Sequence, residues 1–158
     1  SLEALASVDW PFRFRIIGDG EDLATLKLKA TELKLDSHVV FEGRKSNPEV
    51  LEALSSCHCL LVNSRYETFS MVTAEALAAG VPVIATRCGG PETFVIPEAG
   101  ILIEKDNPKQ LQDALNQMNS SWMTFDKTAI RKTFSTKFSR EKIGQRFLEL
   151  YQEALIND

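Results

Sequence analysis

The sequence lacks a long apolar run, because none approaches the ~20 consecutive residues that a helix needs to cross a bilayer. It also lacks an excess of basic residues: the formal net charge is -4 and the Lys and Arg residues are scattered. We therefore predict no nucleic-acid partner. Hydrophobic residues make up 44% and charged residues 25% of the 158 residues, which is typical of one globular domain with its own core.

Cysteine is scarce, with three residues at positions 57, 59 and 88 and no spacing typical of a disulfide framework. An odd number of cysteines without such a spacing indicates that the protein works in a reducing compartment. Cys57, His58 and Cys59 stand together and could be metal ligands. However, they open the apolar run Leu60–Val62, and the sequence has no second ligand cluster to complete a tetrahedral site. We interpret them as strand and core residues, and predict no metal site and no cofactor.

Short apolar runs alternate with amphipathic segments along the chain. The runs are rich in Val, Ile, Leu and Phe, as expected of strands buried on both faces of a parallel sheet, and they span 12–17, 39–41, 60–62, 83–85 and 101–103. Apolar residues from Leu23 to Leu33 recur at helical spacing and predict one helix. A further helix is predicted with Asn47 as N-cap and Pro48 in its first turn. This order predicts a Rossmann-like α/β domain, in which helices flank a parallel sheet.

The last third of the chain is more helical. Asn107 and Pro108 open one predicted helix, and Ser139 is predicted to cap a C-terminal helix over 139–158. That helix carries an apolar stripe, which most often packs within its own domain; its residues are Ile143, Phe147, Leu150, Tyr151, Ala154 and Leu155. Residues 119–121 are predicted to form a loop. At the other end, residues 2–6 resemble the tail of a helix, so we expect a segment upstream of the chain.

Glycine-containing turns follow the first two apolar runs. Gly18 and Gly20 allow a ligand to approach the backbone, although a tight turn alone would also require them. Leu23 stands where the dinucleotide fingerprint needs its third glycine. After the second run, Arg44 or Lys45 could lie flat on a nucleobase. A solvated basic loop is the alternative that spacing alone favours.

The most informative stretch spans residues 63–82. Glu67 lies in a loop after the third run, and a helix is predicted over 70–79. The N-terminus of this helix points at the carboxyl edge of the sheet, where exposed N–H groups and the helix dipole suit a diphosphate. Glu75, in the second turn, can accept two hydrogen bonds from the vicinal hydroxyls of a ribose. A glycine turn at 88–92 reaches the same edge; it could be only a turn and a helix start, but its N–H groups would also suit an oxygen-rich ligand.

These segments resemble glycosyltransferase family four of the GT-B fold, in which a glutamate, seven intervening residues and a second glutamate mark the donor site. Glu67 and Glu75 match that pair. Other matches occur in the family's order, namely Gly18-Asp19-Gly20, Phe41-Glu42-Gly43, Ala76 to Pro82 and Gly89-Gly90-Pro91-Glu92. The resemblance implies that residues 1–158 form a single nucleotide-sugar-binding domain, the C-terminal half of a two-domain GT-B enzyme.

The resemblance also implies a role for each matched position. Glu75 would bind the ribose hydroxyls, and Glu67, which we assign as the catalytic residue, would contact hydroxyls of the donor sugar. Such enzymes retain the anomeric configuration and use no metal. The other donor-binding candidates line the sugar, the diphosphate or the base, and they are Phe69, Ser70, Met71, Val72, Arg44, Lys45, Gly18 and Gly20.

The chain departs from the family in two respects. Thr68 and Ser70 stand where the family often has glycine; their hydroxyls could cap the helix, and they narrow the space for a sugar. An Arg and a Lys that neutralise the diphosphate, and the first strand of the domain, lie in the family upstream of this chain's start. That strand is central in the family's sheet. Its absence predicts unpaired strand edges, and we expect the chain to form a homo-oligomer through them, to exchange elements, or to close the gap with altered pairing.

The resemblance implies the donor-binding domain of a retaining glycosyltransferase. The parent enzyme would transfer a sugar from a nucleotide-sugar, most often a UDP-sugar, to a glycan or lipid-linked acceptor bound by the absent N-terminal domain. We expect the fragment alone to be inactive, and the full enzyme to be cytoplasmic or peripheral at the inner face of the membrane. Three alternatives remain open: a non-catalytic interaction module that uses the last helix, a nucleotide-binding oxidoreductase, and a GT-B epimerase acting on a UDP-sugar.

Overall fold

The chain alternates strands and helices in the predicted order, in a computed structural model that describes residues 1–156. The five predicted strands are present with bounds within two residues of the prediction: β1 Phe14–Ile17, β2 Val39–Gly43, β3 Leu60–Val62, β4 Val83–Thr86 and β5 Gly100–Ile103. The helices are α1 Leu2–Ala6, α2 Leu23–Glu32, α3 Asn47–Ser55, α4 Met71–Ala78, α5 Pro108–Ser121, α6 Lys127–Phe138 and α7 Arg140–Ile156, with short 3-10 helices at Gly90–Thr93 and Trp122–Thr124.

All strand pairings in the described residues are parallel, but the strands form two separate groups. β1 pairs with β2, and β3, β4 and β5 pair in that order. Within residues 1–156, no strand joins β1 to β3. The predicted gap at the centre of the sheet is therefore confirmed, and two strand edges face each other across it.

Two hydrophobic cores cover opposite faces of the strands. Alternate residues of β4 enter different cores, because side chains along a strand alternate between faces. Ile84 packs with α1, α2 and α5, whereas Val83 and Ala85 pack with α3, α4 and α6. Helices therefore cover both faces of the sheet, which confirms the predicted Rossmann-like α/β class.

The helix starts follow the predicted capping chemistry, with one correction. Ser46, not Asn47, is the N-cap of α3, because its backbone is extended and its N–H and hydroxyl donate to Glu49 Oε2 at 2.8 and 2.6 Å. Asn107 caps α5 as predicted, by accepting from the N–H of Gln110 at 3.0 Å. Ser139 also acts as predicted at the start of α7, where its hydroxyl accepts from the N–H of Lys142 at 3.3 Å.

The predicted loop at residues 119–121 is wrong, because α5 continues to Ser121. The hydroxyls of Ser120 and Ser121 donate to the carbonyls of Asn116 and Gln117 at 2.9 and 2.7 Å, one turn earlier. These bonds satisfy the serine hydroxyls inside a helix, where serine is otherwise unfavourable.

Helix α6 is absent from the sequence-based prediction, although the sequence contains a signal for it. Asp126 is the N-cap and accepts from the N–H groups of Thr128 and Ala129 at 2.8 and 3.2 Å. Ile130 and Phe134 follow with a four-residue spacing and pack in the core that contains α4. A cap residue followed by this spacing would have identified the helix.

The predicted C-terminal helix begins at Arg140 and is described as far as Ile156; residues 157 and 158 lie outside the described residues. Its apolar stripe does not pack within the domain, since Phe147 is 56% and Tyr151 66% exposed. Packing of the stripe within the domain, as expected from its pattern, is therefore wrong. Among the described residues, no helix is long and apolar enough to cross a bilayer.

Candidate functional site

The N-terminus of α4 has free backbone donors. The first helical hydrogen bond runs from the N–H of Ala74 to the carbonyl of Ser70 at 3.2 Å, so Met71, Val72 and Thr73 have no acceptor within the helix. In the described part of the chain, no side chain caps this end. Side chains accept from backbone N–H groups at the starts of α3, α5 and α6, whereas the start of α2, like that of α4, has no side-chain cap. The free N–H groups and the positive end of the dipole make this end suited to an anion.

Ser70 adopts a backbone conformation that favours glycine, with φ 67° and ψ 70°. Its side chain is buried, and its Oγ lies 2.8 Å from Thr73 Oγ1. Its hydroxyl is therefore paired with another hydroxyl and does not cap an N–H of α4. The left-handed conformation gives a physical reason for the glycine that the resembled family often has at this position.

The C-terminus of α4 is fixed to α6. Gly80, at φ 76°, ends the helix in a Schellman motif: Val81 N–H donates to Ala76 at 2.8 Å and Gly80 N–H to Leu77 at 3.0 Å. Arg131 on α6 donates two hydrogen bonds to the carbonyl of Ala79 at 2.8 and 2.9 Å. These contacts fix the direction in which the free N-terminus of α4 points.

The loop that carries Glu67 is held by the glycine turn that follows β4. The N–H of Glu67 donates to the carbonyl of Cys88 at 3.1 Å, and the N–H of Gly90 donates to the carbonyl of Glu67 at 2.8 Å. Glu67 and Gly89 form an isolated parallel bridge. The carboxylate of Glu67 accepts from the hydroxyl of Ser64 at 2.8 Å, which leaves it further acceptor capacity.

Of the two interpretations of this glycine turn, the structure matches the turn and helix start, and the N–H groups of Cys88, Gly89 and Gly90 are not free for a ligand. The N–H groups of Cys88 and Gly89 donate to Glu92 Oε2 at 3.1 and 2.8 Å, and that of Gly90 is bonded to Glu67. The turn instead begins a 3-10 helix, and its role is to position the Glu67 loop. The physical reason is that Glu92 reaches back and satisfies the donors that a ligand would otherwise use.

Glu75 differs from Glu67 in having no partner. It lies in the second turn of α4, its side chain is half-buried, and no hydrogen bond or ion pair within residues 1–156 engages its carboxylate. A carboxylate in this state keeps all its acceptor positions available for hydroxyl groups. Of the two glutamates, Glu75 is thus the one that the fold leaves free for a ligand.

The two basic candidates after β2 have different surroundings. Lys45 Nζ lies 3.2 Å from Glu42 Oε2, and Arg15 pairs with the same carboxylate. The hydrogen bond from Arg15, together with Lys45, lowers the pKa of Glu42 to about 2. Lys45 is therefore committed to an ion-pair cluster. Arg44 is exposed and makes no ion pair in the described residues, which leaves it the freer cation beside a base.

The turn that contains Gly18 and Gly20 is hydrogen-bonded to the loop that carries Arg44 and Lys45. Gly18 has a φ of 139°, which favours glycine, and its N–H donates to the carbonyl of Gly43 at 2.8 Å. A Cβ added to Gly20 would meet no atom within 4 Å, so the surrounding structure does not require glycine there. Open space beside Gly20 is compatible with close approach of a ligand to the backbone.

The remaining donor-site candidates lie where β3 leads into α4. Phe69 is 46% exposed, and its ring packs edge-on against that of Phe94 with the centroids 4.8 Å apart. Met71 is exposed in the first turn, and Val72 beside it is half-buried. The candidates thus follow the carboxyl ends of β1, β2 and β3, the edge where open α/β sheets bind ligands. The gap in the sheet separates the Gly18 and Arg44 group from the Glu67 and Glu75 group.

The strand and core interpretation of Cys57, His58 and Cys59 holds only for the burial of Cys59, because the three residues precede β3, which begins at Leu60, and His58 is exposed. Cys59 packs in the core with Ile84, and burial raises the pKa of its thiol to about 12. The ring of His58 packs against that of Trp122, with the centroids 4.3 Å apart. Throughout the described residues, no group of three or more His, Cys, Asp or Glu side chains is arranged to hold a metal ion.

Comparison with known proteins identifies the family. A model of the family described as glycosyl transferases group 1 matches residues 1–133. The chain belongs to this family. An uncharacterized glycosyltransferase of Methanocaldococcus jannaschii is 36% identical over 96% of this chain and 43% of its own length. The N-acetyl-alpha-D-glucosaminyl L-malate synthase of Bacillus anthracis is 30% identical over 90% of this chain and 38% of its own length. The chain thus spans less than half the length of these relatives.

Solved structures of other glycosyltransferases have the same fold as this chain. The lipopolysaccharide outer core galactosyltransferase WaaB superposes with a TM-score of 0.86 at 24% identity, over 96% of this chain and 44% of that one. HepE of Anabaena, in complex with UDP-glucose, superposes with a TM-score of 0.83 at 23% identity over the same shares. This chain therefore has the fold of a GT-B C-terminal domain, as the sequence resemblance implies.

Proposed function

We propose that this chain binds the donor of a retaining glycosyltransferase, a nucleotide-sugar and most often a UDP-sugar. Its parent enzyme transfers that sugar to a glycan or lipid-linked acceptor. The observation that carries the proposal is the free N-terminus of α4 combined with the unpartnered carboxylate of Glu75 on the same helix. Family membership and the UDP-glucose bound by HepE, a protein of the same fold, support it.

The diphosphate binds at the N-terminus of α4 in this proposal. The N–H groups of Met71, Val72 and Thr73 donate to its oxygens, and the helix dipole favours its negative charge. As the bond between the sugar and the diphosphate breaks, negative charge grows on the departing nucleotide. Fixed donors aimed at that charge stabilise the transition state more than the ground state.

The two glutamates have separate roles in this proposal. Glu75 accepts hydrogen bonds from both ribose hydroxyls, and Glu67 contacts hydroxyls of the donor sugar with the acceptor capacity that Ser64 leaves unused. Thr68 is exposed and limits the space for that sugar, whereas the side chain of Ser70 is buried against Thr73. Arg44 contacts the base from the other side of the gap, with Gly18 and Gly20 beside the nucleotide.

The three free cysteines are compatible with the cytoplasmic location that we propose for the enzyme.

Glu75→Ala is expected to weaken nucleotide binding by about 10-fold to 100-fold, because it removes hydrogen bonds to a charged acceptor worth about 1.5–3 kcal/mol. The measurement is calorimetric titration of UDP, GDP and ADP, and of their sugars, into the wild-type chain and the variant. Glu52→Ala on the neighbouring helix α3 is the control, since Glu52 is exposed and its side chain has no partner in the described residues. Equal affinities of Glu75→Ala and wild type for the best nucleotide would contradict the assignment.

The chain by itself is expected to transfer no sugar from any UDP-sugar to an acceptor. Arg65 is paired with Asp106 at 2.9 Å and Lys45 with Glu42 at 3.2 Å, so these cations near the site are already engaged by carboxylates. The chain also spans only 43% of its Methanocaldococcus relative. Mass-spectrometric detection of a glycosylated product is the measurement, and turnover above the protein-free background would contradict the prediction.

The exposed stripe of α7 supports an interaction role beside donor binding. Phe147, Leu148 and Tyr151 are 56%, 64% and 66% exposed, which is unusual for three apolar residues within two turns of one helix. We propose that this face contacts another domain or protein.

Family membership favours glycosyl transfer over the oxidoreductase alternative.

A further inference from the structure

Two hydrogen bonds in series link the carboxylate of Glu67 to the buried end of β4. Thr86, the last residue of β4, donates its hydroxyl to the carbonyl of Ser64, and Ser64 donates its own hydroxyl to Glu67 Oε1 at 2.8 Å. On the basis of the proposed function, in which Glu67 contacts hydroxyls of the donor sugar, we infer that Ser64 is a positioning residue for this carboxylate. Thr86 acts through Ser64. Together they raise the affinity of the chain for a nucleotide-sugar relative to the nucleotide alone.

The backbone and the side chain of Glu67 are held by different groups. Its N–H donates to the carbonyl of Cys88 at 3.1 Å, and its carbonyl accepts from the N–H of Gly90 at 2.8 Å. These bonds fix the backbone but leave the side-chain torsions free to rotate. Within residues 1–156, no ion pair engages the carboxylate. Among the contacts of the described residues, the hydroxyl of Ser64 is therefore the one that selects an orientation of the Glu67 side chain.

The direction of the bond between Ser64 and Glu67 follows from their chemistry. An ionised carboxylate can only accept, so the hydroxyl of Ser64 donates. It engages Oε1, and Oε2 keeps its acceptor positions for the hydroxyls of a sugar. A glutamate side chain that is ordered only on binding loses rotamer freedom, which weakens the affinity. A side chain that Ser64 has already ordered avoids this cost.

Thr86 fixes the position from which Ser64 donates. Ser64 lies beyond the end of β3, so the pairing of β3 with β4 does not hold it. Thr86 is 1% exposed, and a buried hydroxyl without an acceptor would be costly. Its hydroxyl finds an acceptor in the carbonyl of Ser64, and the carbonyl of Val62 lies 3.5 Å away. Because β4 lies between β3 and β5, this bond ties the loop to a rigid part of the fold.

The test compares Ser64→Ala with the wild-type chain by calorimetric titration. The probes are UDP-glucose, GDP-mannose and ADP-glucose, each beside its nucleoside diphosphate, and the readout is the ratio of the two affinities. Ser64→Ala is expected to lower the preference for the nucleotide-sugar by roughly 3-fold to 10-fold, the cost of ordering one side chain, and to leave the affinity for the diphosphate within about 2-fold. Ser64→Thr keeps the hydroxyl and is expected to restore the preference. Ser120→Ala on α5 is the matched control, because its hydroxyl also makes one hydrogen bond, to the carbonyl of Asn116 at 2.9 Å.

Thr86→Val removes the second hydroxyl and keeps a β-branched side chain of similar shape. It is expected to lower the same preference. The double variant Ser64→Ala/Thr86→Val is expected to lose no more of the preference than Ser64→Ala alone, because both changes act on one contact. Additive losses in the double variant would overturn the role of Thr86, since they would show that it acts independently of Ser64.

NMR without a ligand gives a second readout. The three-bond couplings of Glu67 Cγ to its own backbone nitrogen and carbonyl carbon are expected to report one χ1 rotamer in the wild type and averaged rotamers in Ser64→Ala. Equal couplings in the two proteins, or an unchanged preference, would overturn the inference. So would a Ser64→Ala variant that loses affinity for the diphosphate and the nucleotide-sugar alike, which a purely structural role predicts. A wild-type chain without any preference for a nucleotide-sugar would contradict the sugar contact of Glu67, and the couplings would still decide the positioning by Ser64.

Discussion

Gly90→Ala is expected to destabilise the protein by at least about 3 kcal/mol and to abolish measurable nucleotide binding. A Cβ at this position would lie 2.4 Å from both the carbonyl carbon and the carbonyl oxygen of Phe69. Because the obstacle is backbone, no change of rotamer relieves the clash. The loop from Glu67 to Ser70 would have to move, and with it the N-terminus of α4. Urea denaturation and nucleotide titration measure the two effects.

Gly20→Ala is the matched control for this variant. A Cβ at Gly20 meets no atom within 4 Å, so the free energy of unfolding should change by less than about 0.5 kcal/mol. Because Gly20 is proposed to lie beside the nucleotide, this variant is a control for stability only, and it is expected to bind nucleotide more weakly than the wild type. Wild-type stability and binding in Gly90→Ala would show that the loop is not held as described.

Leu77→Ala is expected to lower the free energy of unfolding by about 3–5 kcal/mol, the upper part of the range for a buried leucine. Leu77 is 1% exposed, and it packs the inner face of α4 against Val83, Ala85 and Ile130. The Schellman motif and Arg131 fix the end of this helix, so the core has little freedom to close the cavity. Equilibrium urea denaturation measures the change.

Leu148→Ala makes the same chemical change on α7 and is the control. Leu148 is 64% exposed, so its truncation should alter stability by no more than about 0.5 kcal/mol. A similar loss in both variants would mean that α7 is covered in solution, for example by a second copy. A loss of less than about 1 kcal/mol in Leu77→Ala would contradict the packing of α4 described above.

Much of this protein follows from local sequence. The strand β3 is predicted to the residue, because an apolar run of this length between two helical segments is typical of a buried strand. Helix α4 is predicted within one residue at each end, because Gly80 and Pro82 stop it through their own backbone properties. The Glu67 and Glu75 spacing, together with the ordered glycine turns, is sufficient to indicate the family that the comparison with known proteins confirms.

Other features depend on distant contacts that local sequence does not encode. The glycine turn after β4 could have offered its N–H groups to a ligand, but Glu92 and Glu67 accept those hydrogen bonds. Lys45 could have been a free cation, but Glu42 pairs with it. The stripe of α7 follows an ordinary core pattern and is exposed, because periodicity shows that a face is apolar and cannot show what covers it.

The sequence by itself thus determined the strands, the helix that carries Glu75 and the family, because backbone propensity and apolar spacing act over a few residues. Only the tertiary structure decided which polar groups remain free, since a donor or acceptor is free or satisfied according to what the fold brings beside it. It left Glu75 without a partner, paired Lys45 with Glu42, and satisfied the N–H groups of the glycine turn after β4. It also left a cleft between β1 and β3, lined by residues that include Phe14, Arg15 and Leu61, because a cavity is a property of packed elements and not of any one of them.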